Sequence, residues 1–183
     1  MRYLKQDESR EGAMALIDTE APAFGAPCPD FALPDAGGRV WSRDELAGPK
    51  GLVIAVICNH CPYVVRQIGA LAADLTALAD AGIGACAIMP NDWTAYPADA
   101  PDRMSAFAAA HGLDVPYLVD ETQDVARALG AVCTPDLFGY DADLTLRYRG
   151  RQAELRATME TVAAGGEVPE QTPGMGCSIK WRR

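Results

Sequence analysis

The stretch Leu52-Val-Ile-Ala-Val-Ile-Cys-Asn-His-Cys-Pro-Tyr-Val64 organises the rest of the chain. Its first six residues are apolar and mostly β-branched or aliphatic, the pattern of a strand buried on both faces. The run passes straight into Cys58-Asn59-His60-Cys61-Pro62. Pro62 suits the first turn of a helix, where its missing N–H is not needed. Beyond it Val64, Ile68, Leu71, Leu75 and Leu78 recur at helical spacing, and Ala81-Gly82 closes the helix. A C-x-x-C pair is thereby set between a buried strand and a helix start.

Working outward, Pro22 to Pro34 reads as an extended lead-in, Asp35 to Gly38 as a turn, and Arg39-Val-Trp41 as a short strand. Ser42 and Glu45 have capping-box spacing, so a short helix starts there and stops at Gly48-Pro49. A second apolar strand spans 83–89. A helix is expected over 101–111, a strand over 115–119 and a helix over 121–129. Two strands, 137–140 and 144–148, form a hairpin about Asp141-Ala-Asp143, and a closing helix spans 152–164. The order predicts an α/β fold, a mixed central β-sheet flanked by helices.

A length of 183 residues fits one domain. We expect an N-terminal tail over 1–20, the domain over 21–166, and a C-terminal tail over 167–183 packing on it. The net charge of −9, from 16 basic and 25 acidic residues, argues against nucleic acid and anionic membrane surfaces as partners. With 49% hydrophobic and 22% charged residues the composition is that of a globular domain. The first twenty residues lack the apolar core of a secretion signal, and no run approaches the ~18 apolar residues of a membrane span. Six cysteines spread over this length do not make a stapled scaffold. The expected location is a reducing cytoplasm, where closely spaced thiols are catalytic or metal-binding more often than structural.

At a helix N-terminus unpaired N–H groups and the helix dipole favour a thiolate, the nucleophilic form of cysteine. On that reading Cys58 sits at the exposed end and attacks, and Cys61, one turn inside, resolves the mixed disulfide. A protonated His60 would favour the Cys58 thiolate further. Two other readings compete: half of a zinc site, for which no second Cys or His pair stands at ligand spacing, and a pair of inert buried thiols. A second feature is Cys133-Thr134-Pro135-Asp136 ahead of the hairpin. There a proline is confined to a strand's first residue or an edge, its bond can be cis, and the bland reading is a turn.

The C-x-x-C at a strand–helix junction, followed some seventy residues later by Thr-Pro before a hairpin, resembles the thioredoxin fold. More closely, APCPDFALPD, CNHCPYV, PNDW, PYLVDETQDVARALGAVCTPDLF, YRGR and GCSIKW resemble the AhpC/TSA (redoxin) group in order and spacing over residues 21–183. The resemblance implies a thiol–disulfide oxidoreductase in cell redox homeostasis, with no bound cofactor or metal. Cys58 would be the nucleophile and Cys61 the resolving thiol. Pro135 would be the cis-proline facing them, and Thr134 would offer its backbone to a bound partner. The partners would be protein or small-molecule disulfides and a separate reductant, with the chain a monomer or homodimer.

The chain departs from thioredoxins in carrying Ile57 where they have Trp, Asn-His inside the pair, and no acid in the preceding strand. From peroxiredoxins it departs in carrying Cys58 where their Thr stands three residues before the peroxidatic Cys-Pro, matched here by Cys61-Pro62. Pro135 occupies the place of their activating Arg. Peroxide reduction is the alternative activity, and a non-enzymatic redox sensor or metal-binding module is the third reading. Cys133 is expected as a packed thiol, and Cys28 and Cys86 as small hydrophobes. Cys177 lies in a tail able to fold over the site, with a resolving or regulatory role as the sharper reading. Trp93 and Tyr96 are expected to rim a face or pack the loop. His111 should complement a helix C-terminus, and Asp120, Glu121 and Asp124 should form a solvated helix start.

Overall fold

The computed structural model describes residues 16–19 and 21–182. The predicted strand–helix unit is present as β4 (Leu52–Val56), every residue of it buried, and α2 (Pro62–Asp80). Around them lie β1 (Leu16–Asp18), β2 (Ala32–Pro34), β3 (Val40–Ser42), α1 (Arg43–Leu46), β5 (Gly84–Met89) and α3 (Pro101–His111). The chain continues through β6 (Tyr117–Val119), α4 (Asp124–Leu129), β7 (Cys133–Thr134), β8 (Asp136–Tyr140), β9 (Leu146–Tyr148), α5 (Gln152–Ala163) and β10 (Met175–Ser178).

The central sheet has the order β6-β5-β4-β8-β9. Strands β4, β5 and β6 run parallel, while β8 lies antiparallel to β4 and β9 antiparallel to β8, so the sheet is mixed as expected. Because side chains alternate across a strand, β4 feeds two cores. Val53, Ala55 and Ile57 face α2, α3 and α5, against Ile68, Leu71, Leu75 and Met159. Leu52, Ile54 and Val56 face the opposite layer, where Leu46 of α1 and Ala126 and Leu129 of α4 close the core with Phe31 and Phe138. Ser42 and Glu45 form the predicted capping box at α1.

The ends of the chain hold more structure than their composition suggests. Residues 1–15 and 20 of the expected N-terminal tail lie outside the described residues, but 16–18 form β1. Within the C-terminal tail, β10 lies between β1 and β7 in a three-stranded antiparallel sheet, with Cys177 opposite Thr134. A strand of four residues flanked by proline and glycine leaves no periodic signal, and its partners are distant in sequence. Asp120 corrects a further expectation. It is buried at 1% exposure and accepts hydrogen bonds from the Ala126 N–H at 2.7 Å and the Val125 N–H at 3.4 Å, holding the start of α4 in place of facing solvent.

Gly176 shows how closely β10 lies on β7: a Cβ placed there would overlap the Thr134 carbonyl. Gly176→Ala should therefore push the two strands apart and cost about 1–3 kcal/mol of stability, as for other overpacked sites. Chemical denaturation measures the loss, and faster alkylation of Cys177 in the folded variant would locate it.

Candidate active site

The end of β4 delivers Cys58, and the first turn of α2 delivers Cys61, which is its N-cap with Pro62 following. Neither cysteine has exposed surface (0% each), so Cys58 is not the solvent-facing end expected from the motif. From across the site β7 supplies Thr134. The Thr134 hydroxyl lies 3.4 Å from Cys58 Sγ, and its carbonyl accepts from Cys61 Sγ at 3.1 Å. The Thr134–Pro135 bond is cis. The C-x-x-C and the Thr-Pro step, 73 residues apart from Cys61 to Thr134, thus meet in one place.

A carboxylate that sequence reasoning missed lies beneath the intervening loop. Asp99, wholly buried, accepts from the Asn59 N–H at 2.8 Å and the His60 N–H at 3.2 Å through one oxygen. Its other oxygen accepts from His60 Nδ1 at 2.6 Å and Asn91 Nδ2 at 2.8 Å. Asn59 is held further by Ala98 O and by the Tyr117 hydroxyl. Tyr96 stacks on His60 with ring centroids 5.6 Å apart. Asp99 carries no local signature: it stands in a Pro/Ala-rich loop, and only the fold brings that loop under the C-x-x-C. Cys58 Sγ, a His60 ring nitrogen and an Asp99 oxygen all lie within 4.8 Å of one another, so these three are the groups here able to hold a metal ion. They are one ligand short of a closed tetrahedral zinc site, and Asp99 already accepts four hydrogen bonds.

The electrostatics divide the two thiols. A hydrogen bond from Cys58 is the largest influence on Cys61. With the Cys177 thiol, the Cys177 N–H and the Val64 N–H also facing its sulfur, it outweighs burial and holds Cys61 at about 4. The Val64 approach falls short of a full capping hydrogen bond, so the helix acts here mainly through its partial charge. Cys58 moves the opposite way, because its proton is held toward Cys61, its site is desolvated and the Asp99 charge lies close. The Cys61 thiol also donates to Thr134 O, a contact that favours its protonated form and works against the lowering.

The remaining thiols are buried. Cys133 donates to Pro135 O at 3.4 Å, and burial raises its pKa, as it does for Cys86 and Cys28. Asp136, beside Pro135, is buried and paired with Arg149 at 2.8 Å; Arg149 donates also to Gly130 O. The C-terminal tail reaches the site through Lys180, whose N–H donates to Asn91 Oδ1 at 2.9 Å.

Residues 24–149 match the model of the AhpC/TSA family, and the chain belongs to that family. It is similar to a solved structure of the hypothetical protein SMc02350 from Sinorhizobium meliloti 1021. The two share 37% identity and a TM-score of 0.87, over 90% of this chain and 98% of that one. The thioredoxin domain of the thiol-disulfide oxidoreductase BVU-2223 from Bacteroides vulgatus shares 16% identity and a TM-score of 0.65, over 78% and 99% of the two chains, and shows the fold to be thioredoxin-like. A curated Mycobacterium tuberculosis protein bearing the name "Putative peroxiredoxin Rv2521" is 28% identical over 115 residues, 63% of this chain and 68% of that one.

Two outcomes are expected. The ultraviolet absorbance of thiolate should titrate in the reduced protein with a midpoint near 4, and Cys61→Ser should abolish that transition. Persistence of the transition in Cys61→Ser, with loss in Cys58→Ser, would assign the charge to Cys58. The second concerns Asp99, whose burial is outweighed by its bonds to His60, Asn91 and Asn59, leaving its carboxyl below the ordinary range. A depressed carboxylate stabilises the fold above its unfolded value of ~3.9, and that contribution disappears as pH falls through the lower folded value. Asp99→Asn should cost about 1–3 kcal/mol at neutral pH, with the gap narrowing below about pH 4, read from denaturation at a series of pH values.

Proposed function

We propose that the chain is a dithiol thiol–disulfide oxidoreductase, working through Cys58 and Cys61 on protein or small-molecule disulfides in a reducing cytoplasm. The convergence of both sulfurs on Thr134 supports this reading most directly. The motif alone assigns attack to Cys58 and resolution to Cys61. The charge distribution favours the opposite order, because the thiolate is the nucleophile and Cys61 is the thiol held ionised.

In that order the Cys61 thiolate attacks one sulfur of a substrate disulfide. A mixed disulfide forms and the other substrate sulfur leaves as a thiolate. Cys58 then gives up its proton, attacks the Cys61 sulfur and expels the second substrate thiolate. The substrate gains two electrons and Cys58–Cys61 becomes a disulfide, to be reduced by a separate dithiol. His60 is the candidate to take the Cys58 proton: one of its ring nitrogens lies within 4.8 Å of Cys58 Sγ, and Asp99 fixes the ring through Nδ1. Since neither sulfur has exposed surface, the substrate meets the pair through an opened form of the site.

A second reading, peroxide reduction, is favoured by one observation: Cys61, whose pKa is lowered, stands at the N-cap of α2 immediately before Pro62. There the thiolate would take one oxygen of the peroxide as a sulfenic acid while the other leaves as hydroxide and is protonated to water. The Cys58 thiol would condense with the sulfenic acid, releasing a second water. Arg149 does not assist, being engaged with Asp136 and Gly130 O.

An insulin-reduction assay driven by a small dithiol tests the first reading. Cys58→Ser and Cys61→Ser should each lower turnover about a hundredfold or more, since the two sulfurs act as a unit. Unchanged turnover in either variant would refute the dithiol mechanism. Peroxide consumption that needs Cys61 while disulfide exchange is absent would establish the peroxidase instead.

A further inference from the structure

We propose that Cys177 is a third redox thiol of this site, competing with Cys58 for the Cys61 sulfur and forming a Cys61–Cys177 disulfide by internal exchange. The inference deepens the dithiol reading and rests on it. Three observations carry it. Cys177 stands opposite Thr134 in the β10–β7 pairing, and Thr134 is the residue that touches both Cys58 and Cys61. Cys58, Cys61 and Cys177 belong to one buried cluster, with Cys177 only 2% exposed. The Cys177 thiol and N–H both face Cys61 Sγ, while the Tyr63 N–H of the first turn of α2 faces Cys177 Sγ, so both sulfurs lie at the same helix N-terminus.

The exchange needs no external oxidant. Starting from Cys58–Cys61, Cys177 loses its proton and its sulfur attacks Cys61 Sγ. The Cys61–Cys177 bond forms, the Cys58–Cys61 bond breaks, and Cys58 leaves as a thiolate that takes up one proton. One disulfide replaces another, so no electrons are gained or lost. In the reduced protein burial, with the adjacent Cys61 charge, pushes Cys177 up to about 12. Oxidation of Cys61 removes that charge, so Cys177 ionises more readily at the stage where it must attack. Cys177 resolves a mixed disulfide on Cys61 by the same chemistry, expelling the substrate thiolate.

The product would tie α2 to β10, whose downstream residue Lys180 supports Asn91 and through it Asp99 and His60. Oxidation at Cys177 is therefore linked through β10 to the hydrogen-bonded chain of Asn91, Asp99 and His60.

Mapping of disulfides by mass spectrometry decides the matter. Reduced full-length protein is treated with oxidised glutathione, quenched with acid and alkylated. Wild type should contain both Cys58–Cys61 and Cys61–Cys177. Cys58→Ser should contain Cys61–Cys177, and its Cys61–glutathione adduct should decay at least about tenfold faster than in Cys58→Ser/Cys177→Ser, where no resolving thiol remains. A lasting Cys61–glutathione adduct in Cys58→Ser, with Cys58–Cys61 formed normally in wild type, would overturn the role of Cys177 and leave the dithiol reading intact. Wild type lacking any disulfide at Cys61 would overturn both. The wild-type map and the Cys58→Ser result stand even if replacement of Cys177 prevents folding.

Discussion

The backbone carbonyl of Thr134, 3.1 Å from the Cys61 sulfur, is the contact on which the rest of the site depends. It joins parts of the chain that share no local structure. Cys61 starts α2, Thr134 ends β7 just before β8 enters the central sheet, and Cys177 of β10 lies directly across from Thr134. The contact is possible because β8 lies beside β4 in the sheet, so that the residues entering β8 and those leaving β4 emerge at the same edge. Gly176 is the only kind of residue that lets β10 lie flat against that carbonyl, since any Cβ would occupy the oxygen's position.

Around that contact the thiols are pushed in opposite directions. Desolvation alone would raise every thiol, as it does for Cys28, Cys86 and Cys133. Cys61 escapes because N–H groups and neighbouring thiols converge on it at a helix N-terminus. Asp99 has the reverse effect on Cys58, supplying negative charge close to a thiol already buried. The same carboxylate fixes the Asn59 and His60 backbone and the His60 ring, so one buried group both raises Cys58 and orients the imidazole beside it.

Much of this was legible from residue order. The β-branched run ending at Ile57, the helical spacing from Val64 to Leu78, the Ser42–Glu45 box and the hairpin after Pro135 all carry local signals, and each element appears where those signals place it. The burial of Cys58 was not legible. A strand–helix junction is exposed in isolation, and only β7, β10 and the Asp99 loop cover it here. Asp99 and Asp120 were equally silent, because an acid in a loop reads the same whether it is solvated or turned inward to bind N–H groups.

By itself, then, the sequence determined the mixed α/β sheet and the C-x-x-C at the mouth of a buried strand, since periodicity and spacing are properties of neighbours along the chain. That Thr134-Pro135 meets the pair followed only from the resemblance to the AhpC/TSA group. Only the tertiary structure decided that both thiols are buried, which carboxylate steadies His60, and that Cys177 lies across from Thr134. Those outcomes depend on distances between segments that lie tens of residues apart. They also depend on burial, which makes a nearby charge or N–H count for far more than it would in water.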